Sequence, residues 1–139
     1  MSGGLINDAE TIPYTCTTAV SYAGLLVKGS TTASTVDLCG AGEEPVGYTL
    51  TNTKDPITGV AAAATKVGIV ALIPGQIAEF KLLATNATIT IGDKLETTAA
   101  GTVDKKSDAG WIVGDALAAA ASNDGTYIKA RVYKYYASS

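Results

Sequence analysis

The chain has 139 residues and a formal net charge of −3, and aromatic residues make up only 6% of it. This length suits one domain with a real core and is too short for two independent ones. The weak negative charge argues against nucleic acid as a partner, the lack of an apolar run of about 20 residues argues against a membrane span, and the absence of histidine removes the commonest general base and metal ligand.

Residues 1–18 are predicted to form an extended N-terminal arm, because Pro13 favours extended backbone and the segment has no helical periodicity. Two interpretations stay open for this arm: a disordered tail, or a strand that becomes ordered on a neighbouring subunit. The apolar side chains that would dock in the second case are Leu5, Ile6, Ile12 and Tyr14.

Residues 19–139 are predicted to form a single β-rich domain, since turn signals separate short runs of β-branched residues. Pro74-Gly75 has the pattern of a type II turn and predicts a hairpin between the two strands that flank it. Residues 52–59 are expected to form a solvent loop. The strands predicted before position 84 are Val20–Lys28, Thr35–Cys39, Pro45–Thr51, Val67–Ile73 and Gln76–Leu83.

Four further strands are predicted after position 87: Thr88–Ile91, a short strand between the turns at Gly92-Asp93 and Ala100-Gly101, Ile112–Ala121 and Tyr127–Tyr136. In the last strand, alternation places Ile128, Ala130 and Val132 toward the core. The opposite face is aromatic and cationic, which is typical of protein interfaces. Its members are Tyr127, Lys129, Arg131, Tyr133 and Tyr135.

The sequence pattern predicts an internal repeat. The residues around Val103 and Gly114 match those around Val36 and Gly47, which lie 67 positions earlier (103 − 36). A repeat of this kind indicates two units that bury their apolar faces together. We therefore predict an all-β fold, a small β-barrel or β-sandwich-like domain, with two loosely repeated halves at about 20–83 and 88–136. The first half departs from the repeat through the loop at 52–59.

Catalytic and cofactor motifs are not found in the sequence. Serine and threonine are plentiful, but there is no histidine to activate them, no nucleophile elbow and no phosphate-binding glycine loop. We therefore expect neither an enzyme nor a cofactor or metal site. Cys16 and Cys39 are expected to be reduced and buried, because the chain does not open with a signal-peptide pattern. The carboxylates that lie densest in sequence are interpreted as solvated turn residues: Asp93, Asp104, Asp108 and Asp115.

The chain from about Val20 to Tyr136 resembles a known family, most closely in its second half. The segments Ile91-Gly92-Asp93-Lys94-Leu95, Gly101-Thr102-Val103 and Ile112-Val113-Gly114-Asp115-Ala116-Leu117, followed by a glycine-turned last strand, resemble the capsid decoration proteins of tailed viruses, also called head-stabilising or cement proteins. This resemblance implies a virion protein on the outer surface of an icosahedral capsid, made in the host cytoplasm, with the major capsid protein as its partner. It also implies a homotrimer or other homo-oligomer.

The resulting hypothesis is a structural protein that contacts the capsid or its own subunits through the arm and the last strand. The proposed contact residues are Leu5, Ile6, Ile12, Tyr14, Tyr127, Arg131 and Tyr133. Two alternatives stay open. One is another assembly module, such as a tail-tube, fibre or surface-layer component, and the other is a small enzyme or ligand-binding domain, which would need a buried pocket with converging polar groups.

Overall fold

The structure is a computed structural model that describes residues 11–138, with side chains described from Pro13 onward. The predicted all-β class is confirmed, since 45% of the chain is strand and 2% is helical. A single 3-10 turn, Ala99–Gly101, interrupts the strands of this described part. The strands are β1 (Thr11–Cys16), β2 (Leu26–Gly29), β3 (Thr35–Leu38), β4 (Gly47–Thr49), β5 (Thr65–Ala71), β6 (Ile77–Lys81), β7 (Lys94–Thr97), β8 (Val103–Lys105), β9 (Gly110–Ala116) and β10 (Tyr127–Ala137).

The ten strands form two units of five. The first unit, β1 to β5, is a closed barrel in the order β1-β3-β2-β4-β5. The second unit, β6 to β10, is a five-stranded sheet in the order β6-β10-β9-β7-β8. Its two edge strands approach each other through one parallel bridge, Leu82 to Val103, and through the hydrogen bond from the Leu83 amide to the Val103 carbonyl at 2.9 Å. The second unit is therefore joined edge to edge at one point, whereas the first is closed by a ladder.

The two units repeat the same connections in the same register. The pair Gly47 and Ala71 between β4 and β5 corresponds to Gly114 and Val132 between β9 and β10. The amide of Thr17 donates to the Val36 carbonyl at 3.1 Å, just as the Leu83 amide donates to Val103. The repeat seen in the sequence is thus a repeat of strand order. Its halves are shifted by one strand from the expected 20–83 and 88–136, because β1 belongs to the first unit and β6 opens the second.

The predicted arm at 1–18 overlaps a strand of the barrel. Thr11–Cys16 form β1, which pairs along its length with β5 and, through Thr15 and Cys16, with β3. Only residues before Thr11 are left for an arm. The predicted contact residues Leu5 and Ile6 lie before Thr11, outside the described residues.

The predicted hairpin at Pro74-Gly75 is wrong, although the turn itself is present. The Gln76 amide donates to the Ile73 carbonyl at 3.2 Å, and Gly75 has a φ of 87°, as a type II turn requires. However, β5 pairs with β1 and β4, while β6 pairs with β10. Since both edges of β5 are already occupied, the turn carries the chain from the first unit to the second.

Other predicted strands are shorter than expected. The expected strand Val20–Lys28 starts only at Leu26, in β2, while Val20 instead exchanges hydrogen bonds with Thr53 in a loop. The expected strand Thr88–Ile91 is reduced to a bridge between Ile89 and Ala120, and β9 ends at Ala116. The loop at 52–59 is exposed at every position but Thr53, and it makes the β4 to β5 connection longer than its counterpart in the second unit.

The apolar interior consists of two clusters, and one of them crosses between the units. The first fills the first barrel and includes Val27, Val36 and Ile69. The second fills the second unit, but it also includes three large side chains from the outer face of the first barrel, which we call the plug: Leu26, Tyr48 and Val70. The Tyr48 ring meets the Phe80 ring edge-on at a centroid distance of 5.5 Å. The units therefore share part of one apolar core.

The two cysteines are buried and unpaired, as expected. Burial raises the pKa of the Cys39 thiol to about 12, and its Sγ donates to the Glu43 carbonyl at 3.2 Å. Because the thiolate is the reactive form, we expect Cys39 not to react with a thiol-specific chromogenic disulfide in the folded protein at pH 8. In denaturant both thiols should react fully. Rapid labelling of two thiols without denaturant would contradict this prediction.

Candidate interaction surface

The outer face of β10 has the predicted composition along most of its length. Burial alternates from Tyr127 to Val132, with Ile128, Ala130 and Val132 inside. The pairing with β9 then shifts register between Val132 and Tyr135. This irregularity ends the strict alternation and leaves three consecutive residues, Lys134, Tyr135 and Tyr136, exposed.

Tyr127 lies at the junction between the units. The ammonium of Lys81 stands over the Tyr22 ring at 4.4 Å and 5.4 Å from the centre of the Tyr127 ring. Burial raises the pKa of Tyr127 above its ordinary value. Gly24 allows this close approach, since a Cβ there would stand 2.7 Å from the Glu79 carbonyl oxygen and 3.3 Å from the Tyr127 ring. Tyr127 thus helps to join the units and is 42% exposed.

Tyr133 belongs to a hydrogen-bonded cluster with Lys94 and Asp115. The Lys94 ammonium donates to the Asp115 carboxylate at 2.8 Å and to the Tyr133 hydroxyl at 2.7 Å, and the Tyr133 hydroxyl donates to Asp115. Desolvation alone would raise the pKa of Asp115, but the hydrogen bonds from Lys94 and Tyr133 outweigh it and hold this pKa below its ordinary value. The two bonds that Lys94 donates, first the one to Asp115 and then the one to Tyr133, raise the pKa of Lys94. Arg131 lies directly across from Asp115 in the β9 to β10 ladder.

The lowered pKa of Asp115 predicts a pH dependence. Its ionised form stabilises the fold above the ordinary carboxyl pKa of about 4, and this contribution is lost as pH falls through the lower folded-state pKa. We expect Asp115→Asn to lower the free energy of unfolding at pH 7 and the difference from wild type to shrink below pH 4. Denaturant titrations at pH 7, 4 and 2.5 would measure this. Asp108→Asn, which changes an exposed loop carboxylate, is the control, and an equal difference at all three pH values would contradict the prediction.

Two pairs of aromatic side chains lie at the end of β10 and the start of β9, and together we call them the aromatic edge: Trp111, Tyr133, Tyr135 and Tyr136. The rings of Tyr133 and Tyr135 stack with centroids 5.7 Å apart, and Trp111 meets Tyr136 edge-on at 5.5 Å. Tyr135 is 41% exposed and Tyr136 is 56% exposed. Lys134 adds a cation beside them, 2.8 Å from the Glu44 carboxylate and 5.7 Å from the centre of the Trp111 ring.

The residues proposed from the sequence are placed at three separate locations. Arg131 and Tyr133 lie together beside the Lys94–Asp115 pair, whereas Tyr127 lies at the unit junction. Tyr14 lines a pocket in the first unit. Ile12 pairs with Ile69 through its backbone in β1, and its side chain is outside the described part, as are all atoms of Leu5 and Ile6.

Sequence reasoning missed Lys94 and assigned Asp115 the wrong role. Asp115 is not a turn residue but lies within β9, directly across from Lys94 in β7. The alternation of Ile112, Gly114 and Ala116 was a signal that Asp115 points outward from a strand. Its partner depends on the register between β7 and β9, which no local pattern specifies.

A pocket of about 300 Å³ opens on the first unit, and we call it the first-unit pocket. Its apolar wall comes from the barrel strands and from the segment before β4, and its rim is formed by small and hydroxyl-bearing residues between β2 and β3. The residues of the apolar wall are Tyr14, Val36, Val46, Ile69 and Ala71.

The remaining features of the described residues concern metals and membranes. Within residues 11–138 there is no group of three or more cysteine, aspartate or glutamate side chains placed to hold a metal ion. The same range has no helix of the length and hydropathy that a bilayer crossing needs.

No protein-family model and no curated protein matches this chain.

Proposed function

We propose that this protein is a virion structural protein that binds the outside of an icosahedral capsid and bridges neighbouring major capsid proteins. The observation that carries the proposal is the aromatic edge, in which exposed tyrosine rings and an indole lie beside a lysine. Tyrosine and tryptophan provide large contact area with a polar group at its margin, and they are enriched at protein interfaces. The resemblance to capsid decoration proteins supports the choice of partner.

The resembling segments lie together in the fold. Gly92-Asp93-Lys94-Leu95 leads into β7, Gly101-Thr102-Val103 leads into β8, and Ile112–Leu117 covers most of β9. These three strands are neighbours in the second sheet, and β10, which carries the aromatic edge, adjoins β9. The segments that carry the resemblance most closely therefore lie side by side in the sheet of the second unit.

Repeated weak contacts suit this role. A protein present in many copies on a symmetric shell needs only modest affinity at each contact, because linked contacts act together when the geometry allows simultaneous binding. Tyr133 belongs to the aromatic edge and also bonds to Asp115, which lies across from Arg131, so the aromatic edge adjoins the charged cluster. A homotrimer or other homo-oligomer would multiply these contacts further.

Binding to shells that lack this protein tests the proposal. We expect the double variant Tyr135→Ser/Tyr136→Ser to bind purified shells at least about 10-fold more weakly than wild type, which corresponds to about 1.4 kcal/mol. Ile57→Ser is the matched control, since it removes a fully exposed apolar side chain from the loop at 52–59. Co-sedimentation with the shells gives the affinity. If the double variant binds as tightly as wild type, the aromatic edge is not part of the interface with the shell.

A truncation tests the arm separately. The deletion must stop at Glu10, because Thr11–Cys16 form β1 and their loss would open the first barrel. A chain starting at Thr11 is expected to keep its circular dichroism spectrum and to lose shell binding. If the truncated chain binds as well as wild type, the arm makes no contact with the shell.

The alternative of another assembly module, such as a tail-tube, fibre or surface-layer component, differs in where the copies lie. Labelling the protein in particles and imaging them by electron microscopy would place copies over the whole head for a decoration protein. Copies confined to a tail, a fibre or a cell surface would overturn the proposal. The solution mass compared with the mass bound per capsid would give the oligomeric state.

A further inference from the structure

The first-unit pocket has a filled counterpart in the second unit. The shared register places its five apolar wall residues in correspondence with five residues of the second unit. All five counterparts belong to the buried cluster that also holds the plug. Val36 and Ile69 are buried like their counterparts, and the two sites differ most at Val46, which is 46% exposed while its counterpart is fully buried. The counterparts, in the same order as the wall residues, are Phe80, Val103, Val113, Ala130 and Val132.

The plug explains why this site is closed in the second unit. Leu26, Tyr48 and Val70 project from the outer face of the first barrel into the second unit, where Tyr48 meets Phe80. Backbone hydrogen bonds from Gly101 to the Cys39 carbonyl, at 2.6 Å, and from Lys81 to the Gly24 carbonyl, at 3.0 Å, fix the two units around the plug. The first-unit pocket is therefore the same site without an occupant from the described residues.

The face of the second unit that corresponds to the plug is charged. Leu26 pairs with Tyr48 as Lys94 pairs with Asp115, and Tyr48 pairs with Val70 as Asp115 pairs with Arg131. The positions that carry a leucine, a tyrosine and a valine in the first unit thus carry Lys94, Asp115 and Arg131 in the second. The contact between the units is also one-sided, since a Cβ on Gly24 would meet β6 while one on its counterpart Gly92 would meet nothing within 4 Å.

The plug itself is buried within its own chain, so the free equivalent that the described residues of a second copy offer is the charged face of its second unit. We propose that the first-unit pocket fits a face placed like the plug, and that the charges of Lys94, Asp115 and Arg131 on the second unit prevent wild-type copies from joining there. A contact between two unlike faces does not close on itself, so an apolar second face would let copies add head to tail into rings or filaments. Burying Lys94, Asp115 and Arg131 in an apolar pocket would cost their hydration without new partners for each charge. The charges therefore stop copies of the chain from adding head to tail through this pocket.

Transplanting the plug tests this inference. In the triple variant Lys94→Leu/Asp115→Tyr/Arg131→Val the second unit carries the first unit's plug. We expect this variant to self-associate at micromolar concentration, with a mass by light scattering at least twice that of wild type. Adding Val46→Glu, which places a carboxylate in the wall of the acceptor pocket, should return the mass to the wild-type value.

Charge removal without an apolar plug is the control. The variant Lys94→Gln/Asp115→Asn/Arg131→Gln is expected to keep the wild-type mass. A folded plug variant with the wild-type mass would overturn the proposal, and so would an association that Val46→Glu does not reverse. If the plug variant does not fold, the mass of the single variant Val46→Glu decides. A mass below that of wild type would show that the charged face already docks in the pocket, and this would overturn the proposal. An unchanged mass supports it.

Discussion

Replacing Phe80 with alanine is expected to lower the free energy of unfolding by about 4 kcal/mol, the cost of removing a large buried aromatic side chain. Phe80 is fully buried in the core of the second unit, and its ring is the contact for Tyr48 of the plug. The substitution therefore removes packing within the second unit and between the units at once. Denaturant titration followed by tryptophan fluorescence would measure the loss.

The repeat provides a matched control for this prediction. Tyr14 has the same place in the first unit, but it is half-buried at the wall of the first-unit pocket. Tyr14→Ala is therefore expected to cost clearly less than Phe80→Ala. Equal losses at the two positions would contradict the view that the plug fills the second site and leaves the first open.

Replacing Gly114 with alanine is expected to cost about 3 kcal/mol through overpacking. A Cβ at Gly114 would be forced against the Arg131 carbonyl oxygen in the neighbouring strand, and this backbone group cannot move without breaking the β9 to β10 ladder. The matching glycine of the first unit has the same constraint, since a Cβ at Gly47 would stand 2.7 Å from the Val70 carbonyl oxygen. The glycine recurs in the repeat because close strand packing excludes a side chain.

Gly29→Ala is the control for the glycine prediction. Gly29 ends β2, and a Cβ there would meet nothing within 4 Å. Its effect is expected to stay within about 0.5 kcal/mol of wild type. Thermal unfolding of the two variants side by side measures the contrast, and a Gly114→Ala protein as stable as Gly29→Ala would show that the ladder can shift to accept the methyl group.

The fold was predictable where the information is local. Alternation identified β10 and its inward residues, and the turn residues Pro74 and Gly75 gave the correct turn type. The partner of each strand was not predictable in the same way. The chain following Gly75 pairs with Tyr127–Arg131 rather than with β5, because β1 had already taken the free edge of β5. An N-terminal segment predicted to be part of an extended arm thus decided the pairing of a strand far along the chain.

The candidate surface was predictable in part for the same reason. Arg131 and Tyr133 were identified from the alternation of a single strand. Lys94 and Asp115 lie on two other strands, and they meet these residues only through the register of β7, β9 and β10. The first-unit pocket was not predictable from the sequence. Its meaning depends on comparing equivalent positions of the two units, and this equivalence is known only when the register of every strand pair is known.

The plug also has a consequence for how the chain is made. On the ribosome, the first barrel emerges with all five of its strands before any of β6 to β10 has been synthesised, and domains commonly fold as they emerge. Leu26, Tyr48 and Val70 then form a solvent-exposed apolar patch until roughly sixty more residues are added at about 5 to 20 per second. During those seconds the exposed patch makes the nascent chain prone to aggregation. Slow translation of the second unit should therefore favour aggregation of incomplete chains on the same polysome.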